Sequence, residues 1–241
     1  MAATYNLRIP INNPNVLPEI GSGEYLGNGV VLTAAHLFSF DSLEANANGT
    51  TSVYHWFYTN ANGETASIAG ADISGFSYID GWQPSYAAPV EKFNNHNGDL
   101  AAAFVSPDQF AGSPVPSIVE FADEDAAAAF FGQQNLSLSF TGVESPSASG
   151  VSEGVTASGS GQFLTTIPTA IGDSGGGTYA TLNGVEYLVG ILAAGNGNKS
   201  LDTYLTPALY KTAFATFGVT PPENVDKCHI WIPFRGRDQR V

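Results

Sequence analysis

The sequence predicts an all-β fold arranged in two halves. Short apolar and β-branched runs alternate with Gly, Asn and Pro turn signals, and no helical period is sustained until late in the chain. The stretch 106–116 holds three prolines and reads as a connector, with strand-like runs on both sides of it. Many short strands joined by tight turns make two β-barrels or sandwiches the expected architecture. The expected divisions are 1–112, 113–218 and a tail over 219–241.

Taken in order, residues 1–20 are polar, carry three prolines and read as an extended entry segment. The runs 24–26 and 29–33 flank Gly27-Asn28-Gly29, a strand–turn–strand signal. Residues 52–59 are aromatic and β-branched, with a turn after them at 60–63, and 66–79 continues with Ile68, Ile73 and Phe76 in strand-like segments. Leu100–Val105 is a continuous apolar run of the kind that forms a fully buried strand. Beyond the connector, 135–141 alternates Leu136, Leu138 and Phe140 with polar residues. Further strands are expected at 162–167, 178–182 and 186–192, the last pair joined through Asn183-Gly184, the strongest short hairpin signal. One helix stands out: Thr206 can cap it, Pro207 suits its first position and Gly218 can close it. Leu209, Ala213 and Phe217, with Tyr210 and Phe214 beside them, form a stripe expected to pack in the core.

At 241 residues and 43% hydrophobic content, the chain can bury a sizeable core. Its 22 acidic and 8 basic residues give a formal net charge of −14, which repels nucleic-acid phosphates and anionic lipid. Lys227, Arg235, Arg237 and Arg240 fall near the C-terminal end, so the body is more acidic still. The single cysteine, Cys228, excludes an intrachain disulfide and a thiolate metal cluster, and Cys228-His229 is too small a set for a metal site. No cofactor or metal is expected. The start of the chain lacks the basic and apolar regions of a signal peptide. Apolar runs such as Leu100–Val105 and 126–131 are too short to cross a bilayer.

The stretch Ile171-Gly172-Asp173-Ser174-Gly175-Gly176-Gly177 is unsuited to a helix or a strand interior. Such a bent backbone can project one hydroxyl while turning N–H groups toward an incoming carbonyl. A serine hydroxyl needs a base to take its proton, and histidine suits that work near neutral pH. Of His36, His55, His96 and His229, only His36 follows a buried strand pattern and two small residues, Ala34 and Ala35. His55 lies within an aromatic run, His96 in an Asn-rich loop and His229 in the tail. An orienting carboxylate belongs at the mouth of a core strand, where Asp99 stands; read alone, Asp99 is a strand-initiating turn residue.

Thr33-Ala34-Ala35-His36, Asp99-Leu100-Ala101 and Gly172-Asp173-Ser174-Gly175-Gly176 resemble the three signature blocks of the trypsin/chymotrypsin-like serine proteases, in a bacterial-type, cysteine-poor form. The resemblance implies two six-stranded antiparallel β-barrels, a C-terminal helix and a serine endopeptidase acting on a protein or peptide as a secreted monomer. It makes Ser174 the nucleophile, His36 the general base and Asp99 the orienting residue, with the N–H groups of Gly172 and Ser174 as the oxyanion hole. It also puts Pro168 and Thr169 at the primary pocket and Ala193, Ala194 and Gly195 on the substrate-binding strand. Asp202 is read in two ways: as projecting into the pocket, where it would favour Lys or Arg, or as a turn aspartate. Gly177 stands where the resemblance has proline, so this end of the loop is expected to be looser. Asp173 would pair with an amino terminus released by processing; no Ile-Val-Gly-Gly-like start is present, which leaves Asp173 to find another partner. The competing readings are a non-catalytic binding or adhesion module on the same fold and an esterase-type serine hydrolase.

Overall fold

The computed structural model describes residues 4–9, 19–37, 55–59, 65–68, 73–79, 99–105, 107, 114–142, 144–145, 147–156, 161–223 and 227–230. His96, most of the expected connector and residues 231–241 lie outside the described residues.

The N-terminal half is one antiparallel sheet. Its strands are β1 (Thr4–Ile9), β2 (Glu19–Gly27), β3 (Val30–Thr33), β4 (His55–Thr59), β5 (Thr65–Ile68), β6 (Ile73–Ile79) and β7 (Leu100–Val105). The seven strands run in the order β5-β4-β1-β2-β3-β7-β6. The turn from β2 to β3 needs positive φ at Gly27, Asn28 and Gly29, as the Gly-Asn-Gly signal implies. Among the described residues this sheet does not close: β5 and β6 are its two edges.

The C-terminal half contains β8 (Ser117–Phe121), α1 (Glu124–Phe131), β9 (Ser137–Thr141), β10 (Ala148–Val155), β11 (Gln162–Thr165), β12 (Gly177–Leu182), β13 (Val185–Gly195), β14 (Ser200–Tyr204), α2 (Pro207–Ala215) and β15 (Lys227–Ile230). Six of these strands, in the order β12-β9-β10-β11-β14-β13, close into a barrel through the β12–β13 pair. Of the two expected rings, this one closes among the described residues. The β12–β13 hairpin turns through Asn183 and Gly184 with φ of 52° and 82°, the mirror-image turn their sequence favours. On β9, Leu138 and Phe140 are buried, and they alternate with Ser137, Ser139 and Thr141, which are not.

Two elements differ from expectation. The run at 126–131 is part of the helix α1, capped by Asp123, whose Oδ1 accepts from Ala126 N at 2.8 Å, with Glu124 and Asp125 favourably placed in the first turn. Within the expected tail, Lys227–Ile230 adds parallel to β8, and upstream of it the Asn28 side chain donates to Thr220 O at 2.9 Å. The late helix α2 has the expected signals: Thr206 Oγ1 accepts from Leu209 N, Pro207 opens it, and Gly218 follows at φ 67°.

The core has two parts. One fills the barrel, where Phe121, Phe130, Phe131, Phe140 and Phe163 are buried, with Phe131 stacked on Phe163. The other lies between the halves: Leu26, Val30, Leu32 and Leu100 meet Leu188, Ile191, Tyr210 and Phe214. Burying apolar surface from both halves in one cluster fixes the N-terminal sheet against the barrel, because separating them would return that surface to water.

Candidate active site

His36 and Asp99 meet because their strands pair. β3 and β7 run antiparallel with Thr33 opposite Ala101, so the residues just after β3 lie beside those just before β7. Asp99 is buried and uses both oxygens on one residue: Oδ1 accepts from His36 N at 2.8 Å, and Oδ2 lies 2.6 Å from His36 Nδ1. A carboxylate so placed selects the tautomer with the proton on Nδ1 and leaves Nε2 as the basic nitrogen. Ala34 and Ala35 are completely buried, so their small size admits the imidazole just beyond the end of β3.

Ser174 sits on the loop before β12. Gly172 and Gly175 have φ of 105° and 86°, conformations that glycine adopts without steric cost. A β-carbon on Gly175 would collide with Ser22 O and Thr33 Oγ1. The buried Asp173 carboxylate finds its partners in the backbone: Oδ1 accepts from Glu144 N at 2.9 Å and Ser145 N at 3.0 Å, and Oδ2 from Ala170 N at 2.8 Å. The first two bonds tie the loop to the β9–β10 connection, and the third closes a turn within the loop itself. Among the described residues, neither Gly172 N nor Ser174 N donates to a protein acceptor.

The far side of this loop is gripped by β2. Ser22 N donates to Ser174 O at 2.7 Å, and Ser22 Oγ donates to Gly172 O at 3.1 Å. Two positions on, the buried Glu24 accepts from Gly177 N at 3.0 Å and from Tyr179 OH at 2.6 Å. Burial, and then the Glu24 charge, push the Tyr179 phenol well above its ordinary range, so it stays protonated and donates. Gly177 is therefore held by a bond that proline could not make, and the expectation of a looser loop end is overturned. Ser22 and Glu24 carried no signal in the sequence; only their partners reveal them.

A cleft of about 490 Å³ brings His36 and Ser174 together with Gly172, Thr169 and the stretch 193–197. Ala193, Ala194 and Gly195 thus line it. Among the described residues Ser174 Oγ makes no hydrogen bond to the imidazole, a looseness common before substrate binds. Ile171, 95% exposed, stands on the rim as an apolar surface that sequence reasoning passed over.

Two specificity residues lie elsewhere. Pro168 is exposed and lines a separate depression with Ser145, Ser147 and Ala148, whereas Thr169 borders both. Asp202 does not reach the cleft. It is fully buried, accepting hydrogen bonds from Thr178 Oγ1 and, at 2.6 Å, from Ser200 Oγ. Burial pushes its carboxyl up to about 6, even though both hydroxyls pull it down. Among the described residues the cleft lining holds no Asp or Glu, so none of them supplies a carboxylate for the expected preference for Lys or Arg. Among the described residues no cluster of metal-ligating side chains occurs, and no helix is long and apolar enough to cross a membrane.

No protein-family model and no curated protein matches this chain. Solved structures do. The protease Anisep from Arthrobacter nicotinovorans is similar with a TM-score of 0.55 at 16% identity, over 88% of this chain and 95% of that one. The thermostable serine protease AL20 from an extremophilic microorganism gives 0.59 at 14% identity, over 89% and 97%. Catalytically active tobacco etch virus protease, in complex with product, gives 0.54 at 14% identity, over 90% and 79%. A mostly β chain with a closed six-stranded barrel and a C-terminal helix thus shares the fold of the trypsin/chymotrypsin-like serine proteases.

Proposed function

We propose that this protein is a serine endopeptidase that hydrolyses peptide bonds through an acyl-enzyme. The observation that carries the reading is the pairing of His36 with the buried Asp99 at the edge of a cleft that also holds Ser174. Ser174 Oγ attacks the scissile carbonyl while His36 Nε2 takes its proton, and the same nitrogen then delivers that proton to the leaving amine. Asp99 keeps the imidazole in the productive tautomer and offsets the positive charge it acquires. The N–H groups of Gly172 and Ser174 receive the oxyanion; one such donor is typically worth about 3–4 kcal/mol in the transition state. The acyl segment lies along 193–195 and pairs with that backbone as an added strand, and Ile171 offers apolar contact at the rim. In this reading the N-terminal sheet is the counterpart of the second barrel, and the halves 1–112 and 113–218 share the site between them.

Covalent labelling by a fluorophosphonate tests the proposal. The wild-type protein is expected to label at Ser174 and the Ser174→Ala variant not at all. A correctly folded wild type that takes no label would overturn the assignment.

A further inference from the structure

We infer that Glu24 is a positioning residue for the Ser174 loop, acting across the boundary between the halves through the Gly177 N–H. The inference rests on Ser174 as nucleophile and adds a residue remote from the reacting atoms. Glu24 is completely buried on β2, and its oxygens divide between Gly177 N and Tyr179 OH. Side chains two apart on a strand face the same way, so Ser22 and Glu24 present one face to the loop. Ser22 holds the carbonyls of Gly172 and Ser174, and Glu24 holds the N–H of Gly177, so one strand grips the loop on both sides of the nucleophile. The fit is close: a β-carbon on Gly177 would lie 2.8 Å from the Glu24 carboxyl. Without the carboxylate, Gly177 N would be a buried donor lacking its acceptor, and the loop would shift to satisfy it. A misplacement of about 1 Å at a nucleophile costs on the order of 100-fold in rate.

The test separates the inactivation rate constant from the affinity for a fluorophosphonate, using the full chain. Glu24→Leu is expected to lower the rate constant by about 100-fold at unchanged affinity. Glu24→Gln is expected to recover most of the rate, since its carbonyl can accept from Gly177 N and its amide can donate to Tyr179 OH. Tyr179→Phe spares the Gly177 bond and should lower the melting temperature while leaving the rate constant alone, which separates positioning from stability. Should Glu24→Leu not fold, Gly177→Ala probes the same contact from the other side, its methyl displacing the carboxylate and slowing labelling. Wild-type rate constants in the folded variants would overturn the inference while leaving Ser174 as nucleophile. An unlabelled wild type would overturn both.

Discussion

The two oxygens of Asp99 serve two different atoms of His36, the main-chain nitrogen at 2.8 Å and the ring Nδ1 at 2.6 Å. One bond sets where the residue sits and the other sets which ring nitrogen is basic. Asp99→Asn keeps the shape and an acceptor for the main chain, yet its amide can donate to Nδ1 and invert the tautomer. The labelling rate is expected to fall by about 10⁴-fold, as for the equivalent change in a Ser-His-Asp triad, with little change in melting temperature. A loss of less than about tenfold would remove Asp99 from the mechanism.

Asp173 has three backbone donors, where the family resemblance would have it pair with a processed amino terminus. Residues appended before Met1 should therefore leave the rate of Ser174 labelling unchanged. A strong fall that proteolytic trimming reverses would show that a free amino terminus is needed.

Gly175 and Gly184 provide a matched pair. Both have positive φ, 86° and 82°, but a β-carbon at Gly175 would strike Ser22 O and Thr33 Oγ1, whereas at Gly184 nothing lies within 4 Å. Gly184→Ala is expected to cost about 1 kcal/mol from backbone strain alone. Gly175→Ala should cost about 3 kcal/mol or more, because the clash is with backbone and a buried hydroxyl. Urea denaturation would measure both, and similar costs at the two sites would contradict the packing described for the Ser174 loop.

Asp202 makes stability depend on pH. Its folded pKa, raised from 3.8 to about 6, lies above the unfolded one, so the folded state holds the proton more tightly. The contribution of this group to stability should be fullest below about pH 4 and fall as pH rises to about 6, a loss of about 3 kcal/mol over that window. Asp202→Asn should flatten the fall. Its carbonyl can still accept from Thr178, and Ser200, bonded to Thr165 by hydroxyls that can exchange roles, can turn to accept from the amide. Melting temperatures from pH 4 to 7 would check this; the same slope in both proteins would place the titration elsewhere.

The parts of the fold that were legible in advance are those encoded locally. Asn183-Gly184 turns a hairpin because those two residues tolerate positive φ, and Thr206, Pro207 and Gly218 bound α2 because each suits one helix position. The helix α1 was missed because its alanines show no apolar stripe; its signal was Asp123 followed by two acids. β15 was missed because it gains its place by parallel pairing with β8, far back in the chain.

The candidate site divides in the same way. His36, Asp99 and Ser174 could be nominated from the chain alone, because each stands in a short block whose chemistry is local: small residues before an imidazole, an acid before a core strand, a hydroxyl among glycines. Folding decided what surrounds them. Glu24 and Gly177 are 153 positions apart, and nothing near either announces the other. Asp202 turned from the cleft to two buried hydroxyls, and Asp173 took two of its three backbone partners from the β9–β10 connection. A buried charge is settled by whichever donors packing brings to it, and strand pairing and core burial select those donors across distances that local sequence does not encode.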